Sequence, residues 1–205
     1  QRGDVLLSVD TTKPRVAREA LEAGFHIVNN VSGRLDAFPL AEAAAEFGAA
    51  YVVMHSLGTP KTMQVDPSYG DAAGEVEDHF LRALEVVGTM GTGSVILDPG
   101  IGFGKTLSHN LALVAATARF KKLGRPVLVG ASRKSMIGQL LGGAPPERRL
   151  AGTIAVHYEA LRRGADILRV HDVAEAVDSV RVAMAFEAAG LEGFPSAGGG
   201  RQAPP

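Results

Sequence analysis

Ser94-Val95-Ile96-Leu97-Asp98-Pro99-Gly100-Ile101-Gly102-Phe103-Gly104-Lys105-Thr106 is an apolar run of strand length that stops at a carboxylate. It then crosses a glycine-rich loop into a segment, Leu107 to Leu123, with apolar residues at helical spacing. This is the grammar of a βα unit, and it recurs along the chain. Apolar runs at Val5 to Val9, His26 to Val31, Ala50 to Met54, Pro126 to Val129 and Asp166 to Val170 predict five further strands, making six with Ser94 to Leu97. Helices are predicted over Phe38 to Phe47, Asp71 to Val87, Leu107 to Leu123, Pro146 to Arg162 and Val173 to Ala189. A further helix opens at Pro14, a residue suited to a first helical position, and stops at Gly24. The strands are short and continuously apolar, as expected of a parallel sheet covered on both faces.

Two architectures fit that alternation, an open doubly wound sheet and a closed barrel. The polar residues separate them. Asp10, Asn29 with Asn30, His55, Asp98, and Arg169 with His171 all stand at or just beyond strand ends, and the Pro126 strand runs into Gly130-Ala131-Ser132-Arg133-Lys134-Ser135. A doubly wound sheet concentrates functional groups at one switch point, whereas a barrel collects them from many strand ends around one mouth. The sequence therefore predicts barrel units.

Composition narrows the chemistry. The chain has 205 residues, 46% hydrophobic and 21% charged, with a formal net charge of -1. That balance offers no basic stripe for a nucleic acid or an acidic membrane, and it points to a small-molecule substrate. The absence of cysteine excludes disulfides, thiolate metal sites and thiol nucleophiles. It also suits the cytoplasm. No apolar run approaches the ~20 residues of a membrane span. Gln1 in place of Met, with an apolar strand beginning at Val5, predicts that further residues precede this chain. Residues 1–192 read as one barrel domain, and the Gly- and Pro-rich stretch 193–205 as a disordered tail.

The glycine loop superficially resembles a Walker A motif, but the residue six before Lys105 is Pro99, which has no N–H to offer a phosphate. It reads better as a loop that brings backbone close to a flat ligand, with Asp98 at its edge and Phe103 presenting a ring face. Taken alone, Asp10 reads first as a helix cap, and Asn29-Asn30 equally as a turn. Lys105 and His109 read as solvated loop and helix residues. Ser132-Arg133-Lys134-Ser135 places two cations and two hydroxyls where a strand meets a helix start, a setting that favours anions. Arg169 and His171, two residues apart, leave their strand on one face and suit an anion. No second histidine lies at ligand spacing from His171, which disfavours metal there.

Together SVDTTKP (8–14), HIVNNVSG (26–33), VVMHSLGTPKTMQ (52–64), ILDPGIGFGKT (96–106), VLVGASRKS (127–135) and ADILRVHD (165–172) resemble, in order and spacing, the motifs of the dihydropteroate synthases, the pterin-binding barrel family. The resemblance spans about residues 5–190. It implies a (β/α)8 TIM barrel of which this chain supplies six units, the first two lying in roughly 60 to 80 preceding residues on the scale of such barrels. The implied reaction joins 6-hydroxymethyl-7,8-dihydropterin diphosphate to p-aminobenzoate, giving dihydropteroate and diphosphate for folate synthesis.

By the same resemblance, Asn29 and Asp98 would read the pterin edge, Val31 and Met54 would wall it, and Lys134 would hold its carbonyl side. Asp10 would face the cation developing at the methylene, with Lys134 closest to the chemistry alongside it. Arg169 and His171 would hold the diphosphate. Ser135 would take the carboxylate of p-aminobenzoate, in a pocket lined by Phe103, Arg133 and the Lys134 stem. The resemblance further implies Mg2+ as cofactor, with its ligand in the preceding segment, a homodimer, and sensitivity to sulfonamides. A pterin-binding methyltransferase is the neighbouring alternative, but methyl transfer does not require the two anion sites. Asn30 stands where the family usually has Asp, which bears on the support given to Asn29 and on the charge of the mouth.

Overall fold

A computed structural model describes residues 5–33, 38–57 and 67–188. Part of the 52–64 motif, the end of the last predicted helix at Ala189 and the predicted tail lie outside them. The described residues form two compact units divided between His171 and Asp172.

The first unit is a staircase of parallel strands. Their bounds are β1 Ser8–Asp10, β2 Ile27–Asn30, β3 Ala50–Met54, β4 Val95–Asp98, β5 Leu128–Val129 and β6 Ile167–Leu168. β1 to β4 pair in chain order, β5 pairs with β6, and a parallel bridge between Leu97 and Val127 links the two groups. A doubly wound sheet reverses its strand order at the switch point; this one never does, so the strands are those of a partial barrel.

Alternation along each strand separates two cores. Ile27, Ala50, Val52, Ile96, Leu128 and Ile167 pack together on the inner face. Val28, Tyr51, Val53, Val95, Leu97, Val127 and Val129 point the other way and join the helices in the larger core. There Phe80 and Phe120, both fully buried, meet edge to face at 5.4 Å. Truncating either to alanine should cost about 3–5 kcal/mol. Moving up each strand by two residues keeps the face unchanged, so Asp10, Asn29, Met54, Asp98, Gly130 and Arg169 all belong to the inner face. At one end of the staircase, Val5, Leu6 and Leu7, which lead into β1, are exposed.

The helices are α1 Pro14–Glu22, α2 Phe38–Glu46, α3 Ala72–Thr89, α4 Leu107–Ala115, α5 Thr117–Lys121, α6 Ser135–Leu140 and α7 Leu150–Arg162. Local chemistry sets several ends. Asp71 caps α3 by accepting from Ala73 N–H, and Thr106 with His109 forms a reciprocal capping box on α4. Three predicted elements change. The first strand lies later than Val5 to Val9. The predicted helix Leu107 to Leu123 breaks at Ala116, where Thr117 Oγ1 bonds back to Val114 O and bends the chain. Pro146–Arg148 is a 3-10 turn rather than the start of α7, because Arg149 ends it to reach Ala144 O and Arg133 O. The second unit holds one described helix, α8 Val173–Ala188.

Candidate functional site

The inner-face strand ends converge on one ion pair. Arg169 extends from the end of β6 to the Asp10 carboxylate at the end of β1, one terminal nitrogen lying 2.6 Å from each oxygen. Asn29 donates its amide to the same carboxylate at 2.9 Å. Asn29 Oδ1 is thereby left buried with no hydrogen-bond partner, alone in this among the described side chains. Buried amide oxygens almost always find a donor, so this unmatched oxygen on the inner face is one that can accept an N–H from a bound molecule.

Asp98 supplies the complementary group, 6% exposed at the end of β4. Burial raises its carboxyl pKa, while the Gly100 N–H at 2.8 Å and the charges of Lys134, Arg169 and Lys105 pull it back down. The result is a desolvated acceptor surrounded by positive charge, suited to two adjacent N–H donors on a flat heterocycle.

The glycine loop beyond it is fixed from below. Gly100 has a φ of 68°, and a Cβ there would stand 1.8 Å from His55 O, so only glycine permits this approach. Lys105, predicted to be solvated, is 5% exposed. Its ammonium donates to Phe103 O at 2.9 Å and to His55 O at 3.2 Å, and lies 3.1 Å from His55 Nδ1. Burial lowers its pKa to about 7. Asn110 of α4 accepts from Gly102 N–H at 2.7 Å, and Tyr69 donates to Gly104 O at 3.0 Å. The loop so pinned presents Phe103, with Lys134 Nζ 4.6 Å from its ring centroid. Lys134 also donates to Ile101 O. Burial lowers the Lys134 pKa to about 8, with Asp98 raising it and Arg169 lowering it further.

The β5 exit is strapped by α7 and its lead-in. Ala131 N–H donates to His157 Nε2 at 3.2 Å, Arg133 N–H to Thr153 Oγ1 at 3.0 Å, and Arg149 to Arg133 O at 2.8 Å. These contacts hold Arg133 at a φ of 56°, a left-handed geometry that costs a side-chain-bearing residue about 1–2 kcal/mol. Lys134 and Ser135 follow directly, with Ser135 exposed at the first position of α6.

Asp10, Asn29, Asp98, Lys134 and Arg169 thus form one connected electrostatic group, with Met54 paired in register to Asp98. Val31 lies one step beyond β2, partly buried. Two further expectations are corrected. Asn30 belongs to the opposite face of β2 from Asn29: its amide donates to Tyr51 OH at 2.8 Å and its Oδ1 accepts from Ser32 N–H at 3.0 Å. It therefore neither supports Asn29 nor sets the charge of the mouth. His55, counted among the polar strand ends, lies against His79 with ring centroids 5.0 Å apart, and burial lowers its pKa to about 3. Lys105, Asn110 and His157 hold the loops around these strand ends, although the sequence assigned none of them a role. A buried helix face for Asn110 and His157 was the available signal. Among the described residues, no group of three or more His, Asp or Glu could hold a metal ion.

The pterin binding enzyme family matches residues 1–171. The dihydropteroate synthase of Escherichia coli (strain K12) is 47% identical over 184 residues, covering 89% of this chain and 64% of that protein. That of Mycobacterium leprae (strain TN) is 40% identical over 194 residues, covering 91% and 68%. Among solved structures, dihydropteroate synthase from Thermus thermophilus in complex with 4-aminobenzoate superposes with a TM-score of 0.85 at 42% identity, covering 89% of this chain and 75% of that one. The same enzyme in complex with 6HMPPP gives the same TM-score over 73% of its chain. The chain therefore spans just under two thirds of the length of the Escherichia coli relative.

Proposed function

Since this chain belongs to the pterin binding enzyme family, we propose that its inner-face strand ends serve dihydropteroate synthesis, the transfer of a dihydropterin methylene from diphosphate to p-aminobenzoate. The observation that carries the reading is the unmatched Asn29 Oδ1, which with the Asp98 carboxylate forms the acceptor set an aminopyrimidinone edge requires. Support comes from the relatives: the Thermus thermophilus enzyme has been solved with 4-aminobenzoate and with 6HMPPP.

In this mechanism the C–O bond between methylene and diphosphate breaks, the amine nitrogen of p-aminobenzoate bonds to the methylene, and the amine releases a proton. Asp98 and Asn29 fix the ring, walled by Met54 and Val31. Lys134 lies within electrostatic reach of Asp98 and holds the ring's carbonyl side. Arg169 is the link between binding and chemistry. In the structure it pairs with Asp10; a diphosphate held by Arg169 and His171 would draw that guanidinium away. Asp10 is then free to face the positive charge developing at the methylene, where a preorganised carboxylate stabilises the transition state. Ser135 hydrogen-bonds the carboxylate of p-aminobenzoate, with Phe103, Arg133 and the Lys134 stem lining that pocket.

Mg2+ belongs to this reading as an ion that would enter with the diphosphate and offset its charge, in keeping with its preference for phosphate and few protein ligands. The described residues do not by themselves make a site for it. A homodimer is part of the same proposal, supported by the exposed Val182, Met184 and Phe186 of α8. So is a cytoplasmic setting, supported by the lack of cysteine. No described helix is long and apolar enough to cross a membrane.

The exchange of partners at Arg169 is open to a direct test. Asp10→Asn keeps an acceptor for Asn29 but removes the charge opposing the guanidinium. Half-exposed ion pairs are worth at most about 1 kcal/mol, so inorganic diphosphate should bind about two- to fivefold more tightly to this variant while turnover falls. Weaker diphosphate binding would refute the exchange.

A further inference from the structure

Ser132 lies outside the ligand contacts proposed above, yet it is 4% exposed at the exit of β5 and bonded twice to one residue. Its Oγ accepts from His171 backbone N–H at 3.1 Å and lies 2.9 Å from His171 Nδ1. The last pair of the β5–β6 ladder is Val129 with Leu168, so this hydroxyl continues the zipper by side chain where backbone pairing ends.

A serine hydroxyl has one proton and accepts through two lone pairs, and a neutral imidazole has one donor and one acceptor nitrogen. The backbone N–H fixes Oγ as acceptor in one of the two contacts. Among the described residues the remaining partner for the hydroxyl proton is His171 Nδ1. Were Nδ1 protonated, Oγ would accept twice and its own proton would be buried without an acceptor. In the neutral ring Nδ1 therefore accepts, which puts the ring proton on Nε2.

We propose that Ser132 is a positioning residue that holds His171 as the neutral Nε2–H tautomer, a directed donor to the departing diphosphate. Which nitrogen carries the proton is set by the bond the other makes. The proposal rests on the anion reading of Arg169 and His171. Without Ser132, neutral His171 would divide between tautomers, and part of the population would present a bare nitrogen lone pair to the phosphate oxygens.

The test is long-range 1H–15N correlation on protein labelled with 15N-histidine, the His171 ring signals being identified by their loss in His171→Gln. In the unsubstituted protein at neutral pH, the Nε2–H form should dominate. In Ser132→Ala the ratio of Nε2–H to Nδ1–H should drop about fivefold, the preference one net hydrogen bond confers. A dominant Nδ1–H form in the unsubstituted protein overturns the proposal even if Ser132→Ala does not fold, and so does an unchanged ratio in a folded variant. A loss of packing alone would not move this ratio. Adding inorganic diphosphate separates the two readings: ring signals that stay fixed refute the anion role of His171, whatever the tautomer.

Discussion

Asp98→Ala is expected to weaken binding of a dihydropterin by about 10²–10⁴-fold, measured by isothermal titration, because two hydrogen bonds to a charged acceptor contribute about 1.5–3 kcal/mol each. The carboxylate is 6% exposed and already raised in pKa by burial, so it is an acceptor that the fold has desolvated in advance. Water cannot replace it easily after truncation. Asp98→Asn should do almost as badly, since its amide turns a donor toward a ligand donor. Ser135→Ala separates the two ligands. Ser135 is exposed at the start of α6, and its loss should weaken p-aminobenzoate binding by about tenfold or less while leaving pterin affinity unchanged. Equal loss of both ligands in both variants would contradict the division of the site.

The second large effect is on stability in mild acid. His55, His79 and His157 are buried, and burial lowers their pKa values from 6.5 to about 3, about 4 and about 4. A group with a folded pKa below its unfolded value binds more protons when unfolded, so stability falls as pH drops through 6.5 and continues to fall toward the folded pKa. By pH 5.5 each histidine costs about 1.4 kcal/mol, and three together about 4 kcal/mol, a large part of a typical domain's stability. For His157 burial acts together with the Lys134 charge, and protonation would also remove the Nε2 acceptor of Ala131 N–H at the root of the Ser132–Ser135 loop. Urea midpoints followed by circular dichroism should fall sharply between pH 7.5 and pH 5.5, and His157→Gln should remove about a third of the slope. Lys105 and Lys134, lowered to about 7 and about 8, act with the same sign at higher pH, where stability should rise toward pH 10. A flat profile from pH 5.5 to 7.5 would show that these groups are not desolvated.

Much of this architecture was legible because strands and helices differ in period and because polar residues interrupt apolar strands only at their ends. Strand parity was not legible. In a sheet covered on both faces, Val28 and Ile27 are equally apolar, so nothing in the chain says which of Asn29 and Asn30 faces inward. Only the separation of two cores decides it. Lys105 misled for a related reason: a lysine after three glycines looks solvated, and two of its three partners belong to His55, fifty residues away. The break at Ala116 carries no glycine or proline, and the helical apolar spacing runs straight through it. Arg169 and Asp10 each read as a sequence feature, but their pairing across 159 residues does not.

Product formation tests most directly whether these strand ends form the site of dihydropteroate synthesis. The protein carrying this chain should be incubated with 6-hydroxymethyl-7,8-dihydropterin diphosphate, Mg2+ and labelled p-aminobenzoate, and the label followed. Labelled dihydropteroate should form with one diphosphate released per product, and Asp98→Ala should abolish it. Release of diphosphate without transfer of the label, or no reaction from folded protein that binds both substrates, would contradict that assignment.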